Sequence, residues 1–356
     1  ILGYICTTMY RLLKPILFSF YPETVHKMVM RTMSILKYIP FSGLILKWLY
    51  SYKHSSLEKE VFGIKFNNPI GFAAGFDKNG EYYNVLANMG FGFVEIGSVT
   101  PEKQEGNPKP RVFRLIKDKA LINRMGINNN GVKFTVNQLQ KDKPKIVVGG
   151  NISKAKTTAN QDAGKDLEKC FSLLYDFVDY FVINISCPNV KDLDKLQDTE
   201  SLSDIIDRLL TLRRYFDDYR PILFKVSPDI PKSHLDEIID LILVSGIDGI
   251  VATNTTRSRE GLLTDKERVE FIGEGGLSGA PLFEKSLEVV KYIHQRTQGN
   301  LPIIAVGGIS TPEQAYQMLE AGASLIQIYT SYIYEGPAIV KKMLKYIVKQ
   351  NLSKGC

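Results

Sequence analysis

Eight short apolar runs, each followed by a stretch with helical spacing, constrain this chain more than any other feature. They fall at residues 69–74, 91–99, 146–152, 180–186, 222–226, 249–253, 303–306 and 325–329. Each is apolar at nearly every position, as a strand covered on both faces must be. Between and after them, residues 81–89, 132–139, 167–177, 202–216, 233–244, 284–296, 312–321 and 337–349 read as helices. Strand and helix alternating in this number predict an α/β fold, a (β/α)8 barrel, whose usual size of ~250 residues fits within the 356 here. Residues 56–356 are assigned to the barrel and residues 1–55 to an N-terminal helical segment. Residues 61–66 read as a short strand turning at Gly63, one arm of a hairpin closing the barrel floor. Residues 111–123 read as an antiparallel hairpin around Lys117 and Asp118, inserted above the second strand.

Each run ends in polar or glycine residues, and in parallel barrels that end carries the chemistry. In order the tips hold Ala74, Gly75 and Lys78; Ser98; Asn151; Asn184 and Cys187; Lys225; Thr253, Asn254 and Thr255; Gly307 and Gly308; and Tyr329 and Thr330. The last two pairs stand where such barrels bind phosphate on backbone N–H groups. The loop 275–279, with Ser278 and Gly279, is a further glycine-rich approach. Each glycine alone is more simply a turn residue, but together they favour a phosphate-bearing cofactor. Asn123, Asn151, Asn184, Asn189 and Asn254 supply amides, each offering donors and an acceptor in one plane, which suits a flat heterocycle of alternating N–H and C=O. Lys78 and Lys225 add positive charge for a substrate carboxylate and for an electron-rich cofactor ring. Residues 180–189 stand out within this set: a β-branched apolar run that delivers Asn184, Cys187 and Asn189 to one tip.

Composition excludes several alternatives. A chain that is 44% hydrophobic and 10% aromatic has the makings of a sizeable core. Cys6, Cys170, Cys187 and Cys356 show neither metal spacing nor a disulfide framework, which argues for reduced thiols. His26, His54, His234 and His294 lie in the head or in expected outer helices and read as structural, and no metal site is expected. The formal charge of +7 is concentrated in residues 1–55, where seven basic residues face Glu23 alone for a net of +6. In that segment Pro22 and Glu23 open a helix with Val25, Val29, Met33, Leu36 and Ile39 on one stripe, and a second apolar helix follows Ser42. No run there reaches the ~20 apolar residues a membrane span needs, although residues 1–10 fit the end of such a span if the native chain begins earlier. Two basic, aromatic-rich amphipathic helices suit a surface that dips into anionic lipid. Nucleic-acid binding is not expected, because the basic residues are interleaved with apolar ones.

The motifs GFAAGFDKNG (71–80), GFVEIGSVTP (92–101), GNPKPRVFRL (106–115), NRMG (123–126) and NISCPN (184–189) resemble the signature blocks of dihydroorotate dehydrogenase. Thr253 to Thr256, Gly275 to Gly279 and Tyr329-Thr330 continue the match over the whole body. The basic head with Pro22 to His26 resembles the class 2 branch, which is membrane-associated and reduces quinone. The resemblance implies flavin mononucleotide (FMN), with its phosphate on Gly279, Gly308, Tyr329 and Thr330 and its ring on Ala74, Gly75, Ser98, Asn151, Lys225 and Thr253. Lys78, Asn184, Ser278 and Gly307 are expected to bind the same cofactor. Dihydroorotate and orotate are expected against Lys78, Asn123, Arg124, Met125, Gly126, Ile127, Asn184, Asn189, Asn254 and Thr255. A membrane quinone is expected in a tunnel lined by His26, Arg114 and Tyr329. The implied location is peripheral on a membrane: the cytoplasmic face of a bacterial inner membrane, or the mitochondrial inner membrane in a eukaryote.

Two positions depart from class 2. Cys187 stands where that branch carries a serine base, which is the class 1 pattern, and Ile127 replaces an aromatic residue. A thiol has a pKa of about 8.5, well below an aliphatic hydroxyl, so Cys187 needs less help to accept a proton. The head, with residues 193–197, still follows class 2 form. The competing readings are a class 1 enzyme using fumarate or NAD, a flavin-free phosphate-binding barrel lyase or isomerase, and a membrane-surface module on a degenerate barrel.

Overall fold

The computed structural model describes residues 2–186 and 199–354. Three helices lead the chain, α1 (Leu2–Ser19), α2 (Pro22–Leu36) and α3 (Ser42–Tyr50). They are followed by β1 (Lys59–Val61), β2 (Ile64–Phe66), β3 (Ile70–Phe72), β4 (Phe93–Val99), β5 (Val112–Leu115), β6 (Ala120–Asn123), β7 (Val147–Ile152), β8 (Tyr180–Asn184), β9 (Ile222–Val226), β10 (Gly249–Ala252), β11 (Gly276–Gly279), β12 (Ile303–Val306) and β13 (Leu325–Ile328). The remaining helices are α4 (Tyr83–Asn88), α5 (Val132–Lys141), α6 (Ala163–Leu174), α7 (Thr199–Arg213), α8 (Lys232–Ser245), α9 (Lys266–Ile272), α10 (Phe283–Arg296), α11 (Pro312–Glu320), α12 (Thr330–Glu335) and α13 (Ala338–Ser353).

Strands β3, β4, β7, β8, β9, β10, β12 and β13 close into one barrel with every neighbouring pair parallel. These are the eight runs expected from the sequence. Inside, Phe93, Tyr180, Val182, Leu223, Val251, Ile304 and Leu325 pack as a closed core. Large residues face small ones there: a Cβ on Gly71 would sit 2.3 Å from the Phe93 ring, and one on Gly149 2.3 Å from the Tyr180 ring. Outside, the strands bury their other face under the helix ring.

The hairpin expected at the floor is present as β1 with β2, antiparallel, and residues 61–66 span its turn and second arm. Its two loop residues, Phe62 at φ 56° and Gly63 at φ 75°, both take the left-handed conformation that matches strand twist in a two-residue turn. The hairpin brings Phe66 edge-on to Phe93 at 5.3 Å and closes the floor. The expected hairpin of residues 111–123 is present as β5 and β6, and β11 joins it as an unexpected third strand.

The head differs most from expectation. The two helices expected from residue 22 onward are present as α2 and α3, and residues 2–19 add a third, unexpected one despite Pro15. Among the described residues no helix is long and apolar enough to cross a membrane. The head is tied to the barrel through named contacts. Arg111, only 6% exposed, grips Glu23 of α2 with Nη2 2.8 Å and Nε 3.2 Å from its two carboxylate oxygens. Arg114 donates to the Phe20 carbonyl at 2.6 Å, and the Tyr10 hydroxyl donates to the Ile333 carbonyl.

Candidate active site

The carboxyl ends of the barrel strands open into one deep cavity of about 670 Å³, within the ~300–1,000 Å³ typical of ligand clefts. Its wall is assembled from separate elements. The chain after β3 contributes Ala74, Gly75 and Lys78, β4 contributes Ser98, β8 Asn184, β9 Lys225, and the chain after β10 Thr253, Asn254 and Thr255. Ser278 and Gly279 come from β11, Gly307 and Gly308 follow β12, and Tyr329 and Thr330 follow β13. Asn123, Met125, Gly126 and Ile127 enter from the β5–β6 insertion and the chain behind it. Ile127 does so at φ 53°, a conformation that β-branched residues avoid, so its place in the wall is held against local strain.

Two expected residues stand elsewhere. Arg124 turns away from the cavity, donating to the Ile272 carbonyl at 2.5 Å and the Glu274 carbonyl at 3.0 Å while stacking 4.6 Å over Phe113. It holds the insertion against α9. Asn151 lies fully buried behind the wall and reaches the cavity only through Ser98, whose hydroxyl donates to its carbonyl oxygen. Cys187 and Asn189, with the class 2-like stretch 193–197, lie outside the described residues.

Behind the wall runs a polar relay. Asn254 donates to Asn184 Oδ1 at 3.2 Å and to Ser186 Oγ at 3.0 Å, and Asn184 donates to Ser98 Oγ at 2.8 Å. Beyond Ser98, Asn151 Nδ2 donates to Glu95 Oε1 at 2.7 Å, and Gln327 Nε2 to Glu95 Oε2 at 2.6 Å. Lys225 Nζ lies 4.0 Å from Glu95 Oε1. Glu95 and Gln327 were not singled out from the sequence. The available signal was a long polar residue inside a run otherwise apolar on both faces.

The glycine tips form a cradle. A Cβ on Gly307 would lie 2.2 Å from Ser286 Oγ, on Gly308 2.3 Å from Phe283 N, and on Gly279 2.4 Å from Lys119 O. Backbone alone can line the cavity at these points. Ser278 and Thr330 hydroxyls meet beside it at 2.9 Å, and the buried Ser331 hydroxyl has no partner among the described residues. Thr255 Oγ1 is likewise buried and unpartnered on the cavity wall.

Toward the head the wall turns apolar, with Leu13 and Leu17 of α1 and Val29, Met33 and Leu36 of α2. His26 and Arg114, both expected in the tunnel, line this part. The His26 ring packs edge-on to Phe76 at 5.1 Å. Burial pushes its pKa down to about 4, with the Lys78 charge acting in the same sense and Glu23 opposing. Tyr329 sits where the polar and apolar parts meet, and burial pushes its pKa up to about 12, so its hydroxyl stays protonated. Among the described residues no cluster of His, Cys, Asp and Glu could hold a metal ion.

Fold and wall together define a (β/α)8-barrel enzyme whose site is built on the carboxyl ends of the strands and roofed by an N-terminal helical pair. Comparison with known proteins makes this specific. Residues 56–350 match the family model described as Dihydroorotate dehydrogenase. A protein named dihydroorotate dehydrogenase (quinone) from Christiangramia forsetii is 46% identical over 345 residues, 97% of this chain and all of its own length. One of the same name from Coxiella burnetii is 46% identical over 95% of this chain and 96% of its own, and one from Nostoc punctiforme 42% over 95% and 93%. The crystal structure of ligand-free DHODH from Eimeria tenella superposes with a TM-score of 0.85 at 35% identity, covering 94% of this chain and 96% of that one. The chain belongs to the dihydroorotate dehydrogenase family.

Proposed function

We propose that the protein oxidises (S)-dihydroorotate to orotate with FMN as hydride acceptor and a membrane quinone as final acceptor, a step of pyrimidine synthesis. The observation that carries this reading is the continuity of one cavity, from an array of amides and lysines at the strand tips to an apolar mouth between α1 and α2. A class 1 enzyme passing electrons to fumarate or NAD has no use for that mouth. Relatives at 41–46% identity carry the quinone-specific name over nearly the full chain, which supports the same choice.

The residues fit the cofactor. The side-chain-free cradle of Gly279, Gly307 and Gly308, with the hydroxyls of Ser278 and Thr330, suits a phosphate, and Ala74, Gly75, Ser98, Lys225 and Thr253 suit a flat ring. When bound there, FMN would supply two-electron redox chemistry between the substrate's C6 hydride and quinone. The chain's own residues do the rest. Lys78 balances the substrate carboxylate, and Asn123, Asn184, Asn254 and the unpartnered Thr255 hydroxyl match the ring's N–H and C=O groups. Asn189 is assigned to the same set. Cys187 takes the C5 proton as general base, following Asn184 by three residues at the tip of β8. The balance closes: substrate loses a proton from C5 and a hydride from C6, and quinone becomes quinol.

The head is assigned to the surface of an anionic membrane, where a quinone is available. Leu12 and Ile16 of α1, Met28 and Ile35 of α2, and Leu44 and Trp48 of α3 are exposed, as are Tyr21 and Phe41 in the connections between them. The test of the whole reading is anaerobic reduction by dihydroorotate, then reoxidation with quinone, fumarate or NAD in parallel. Rapid reoxidation by quinone alone is expected, and comparable reoxidation by fumarate or NAD would assign the protein to the class 1 chemistry.

A further inference from the structure

We infer that Glu95 is a positioning residue: from inside the barrel it sets the charge balance of Lys225 and the direction of the amide relay along the cavity wall, and so holds the reduction potential of bound flavin down. This rests on the flavin reading above.

Glu95 is 0% exposed, in the middle of β4, and both its oxygens are engaged, Oε1 by Asn151 and Lys225 and Oε2 by Gln327. Stability alone does not account for it. A buried ion pair contributes little net stability, and an apolar residue of similar volume is often as good. Apart from its own partners Asn151, Lys225 and Gln327, the large side chains packed inside this barrel are apolar or aromatic, which makes a carboxylate here a costly choice.

Its chemistry explains the choice in two ways. An ionised carboxylate accepts hydrogen bonds and donates none. Asn151 must therefore turn Nδ2 to Glu95, which leaves Oδ1 to accept from the Ser98 hydroxyl. Ser98 Oγ, its proton committed, accepts from Asn184 Nδ2, and Asn184 Oδ1 then accepts from Asn254. One acceptor-only group thus orients Asn151 and, through it, three side chains on the cavity wall, Ser98, Asn184 and Asn254. Second, its charge stands 4.0 Å from the Lys225 ammonium, in a site with little water to screen it. Lys225 favours the negative charge a flavin gains on reduction, and Glu95 offsets part of that pull, which keeps the reduced cofactor able to give electrons to quinone.

The experiment measures the two-electron potential of bound FMN in the parent and in Glu95→Gln, together with the rate of reoxidation by a short-tailed quinone. The neutral variant should favour the reduced flavin about tenfold more than the parent, 29.6 mV upward for a two-electron couple, and reoxidise more slowly. A reduced-to-oxidised equilibrium within twofold of the parent, whatever the thermal stability, would overturn the inference and leave Glu95 a packing residue. Should the Gln variant fail to fold, Glu95→Asp, which withdraws the charge by one methylene, should shift the potential in the same direction by less. An unchanged or lowered potential in that variant also overturns it. Failure of the parent to bind FMN or to be reduced by dihydroorotate would overturn the functional reading, and this inference with it.

Discussion

Cys187 and His26 carry predictions that belong to single side chains. General-base catalysis contributes about 10²- to 10⁴-fold, so Cys187→Ala should slow flavin reduction by that order in stopped flow while orotate still binds. Cys187→Ser should be impaired with its pH profile displaced upward, because a hydroxyl is the weaker acid. Equal rate and profile in the Ser variant would mean that the site accepts either base. For His26 the sign follows from burial. The folded residue binds its proton only below about 4, the unfolded one below about 6.5, so the unfolded state takes up more protons between them. His26 therefore withdraws stability as pH falls through that window, by about 3 kcal/mol at most. Asp77, pushed up to about 6 by burial, acts in the opposite sense over an overlapping range, so the measurement is a difference. The Tm of His26→Gln relative to the parent should rise as pH is lowered from 7 to 4, and a constant difference would rule the account out.

At the scale of elements, the head helices do two jobs with two faces. The inner face of α2 buries Val25, Met30 and Met33 and lines the cavity mouth, and the outer faces carry apolar side chains with nothing on them. Leu44 and Trp48 of α3 each remain 65% exposed. Burying a side chain of this size in lipid is worth about 1.5–3 kcal/mol. Replacing both with Glu should weaken sedimentation with anionic vesicles at least tenfold while single-turnover reduction by dihydroorotate stays at the parent rate. Unchanged vesicle binding would place the membrane contact on another surface. The bidentate Arg111–Glu23 pair explains how α2 stays on the barrel through such changes.

For the whole molecule, the barrel separates its two ends: chemistry at the carboxyl mouth, closure at the hairpin floor. Phe66 is 1% exposed and packs on Phe93 from below. Phe66→Ala should cost about 3–5 kcal/mol in denaturant unfolding, with the flavin content and turnover of the folded fraction kept. Loss of flavin in fully folded variant would mean that the floor and mouth are coupled.

Local pattern was enough to find the eight strands, because a strand covered on both faces must be apolar throughout, and that signature needs no partner. It placed their ends less well: 69–74 narrows to Ile70–Phe72, with Ala73 making a last bond to the Ile328 carbonyl and Ala74 beyond it, both at the edge of the cavity. The polar tips were legible for the same reason the strands were, since an apolar run that stops in an amide or a lysine marks a change of environment. What the chain could not show locally is which of a strand's two faces looks inward. Glu95 and Gln327, separated by 232 positions, meet only because the barrel closes, and the directed relay from Glu95 to Asn254 exists only in that closed form. The helix over residues 2–19, with Pro15 inside it, and the strand β11 likewise depend on neighbours far along the chain, α12 for the one and β6 for the other. Arg124 sits in a motif of site residues and yet leaves the site, because its side chain finds carbonyls near α9 within reach. Residue type and spacing determined the barrel and its reactive rim; closure and long-range contact decided which polar groups face one another, because hydrogen bonds and charge pairs are settled by proximity in space.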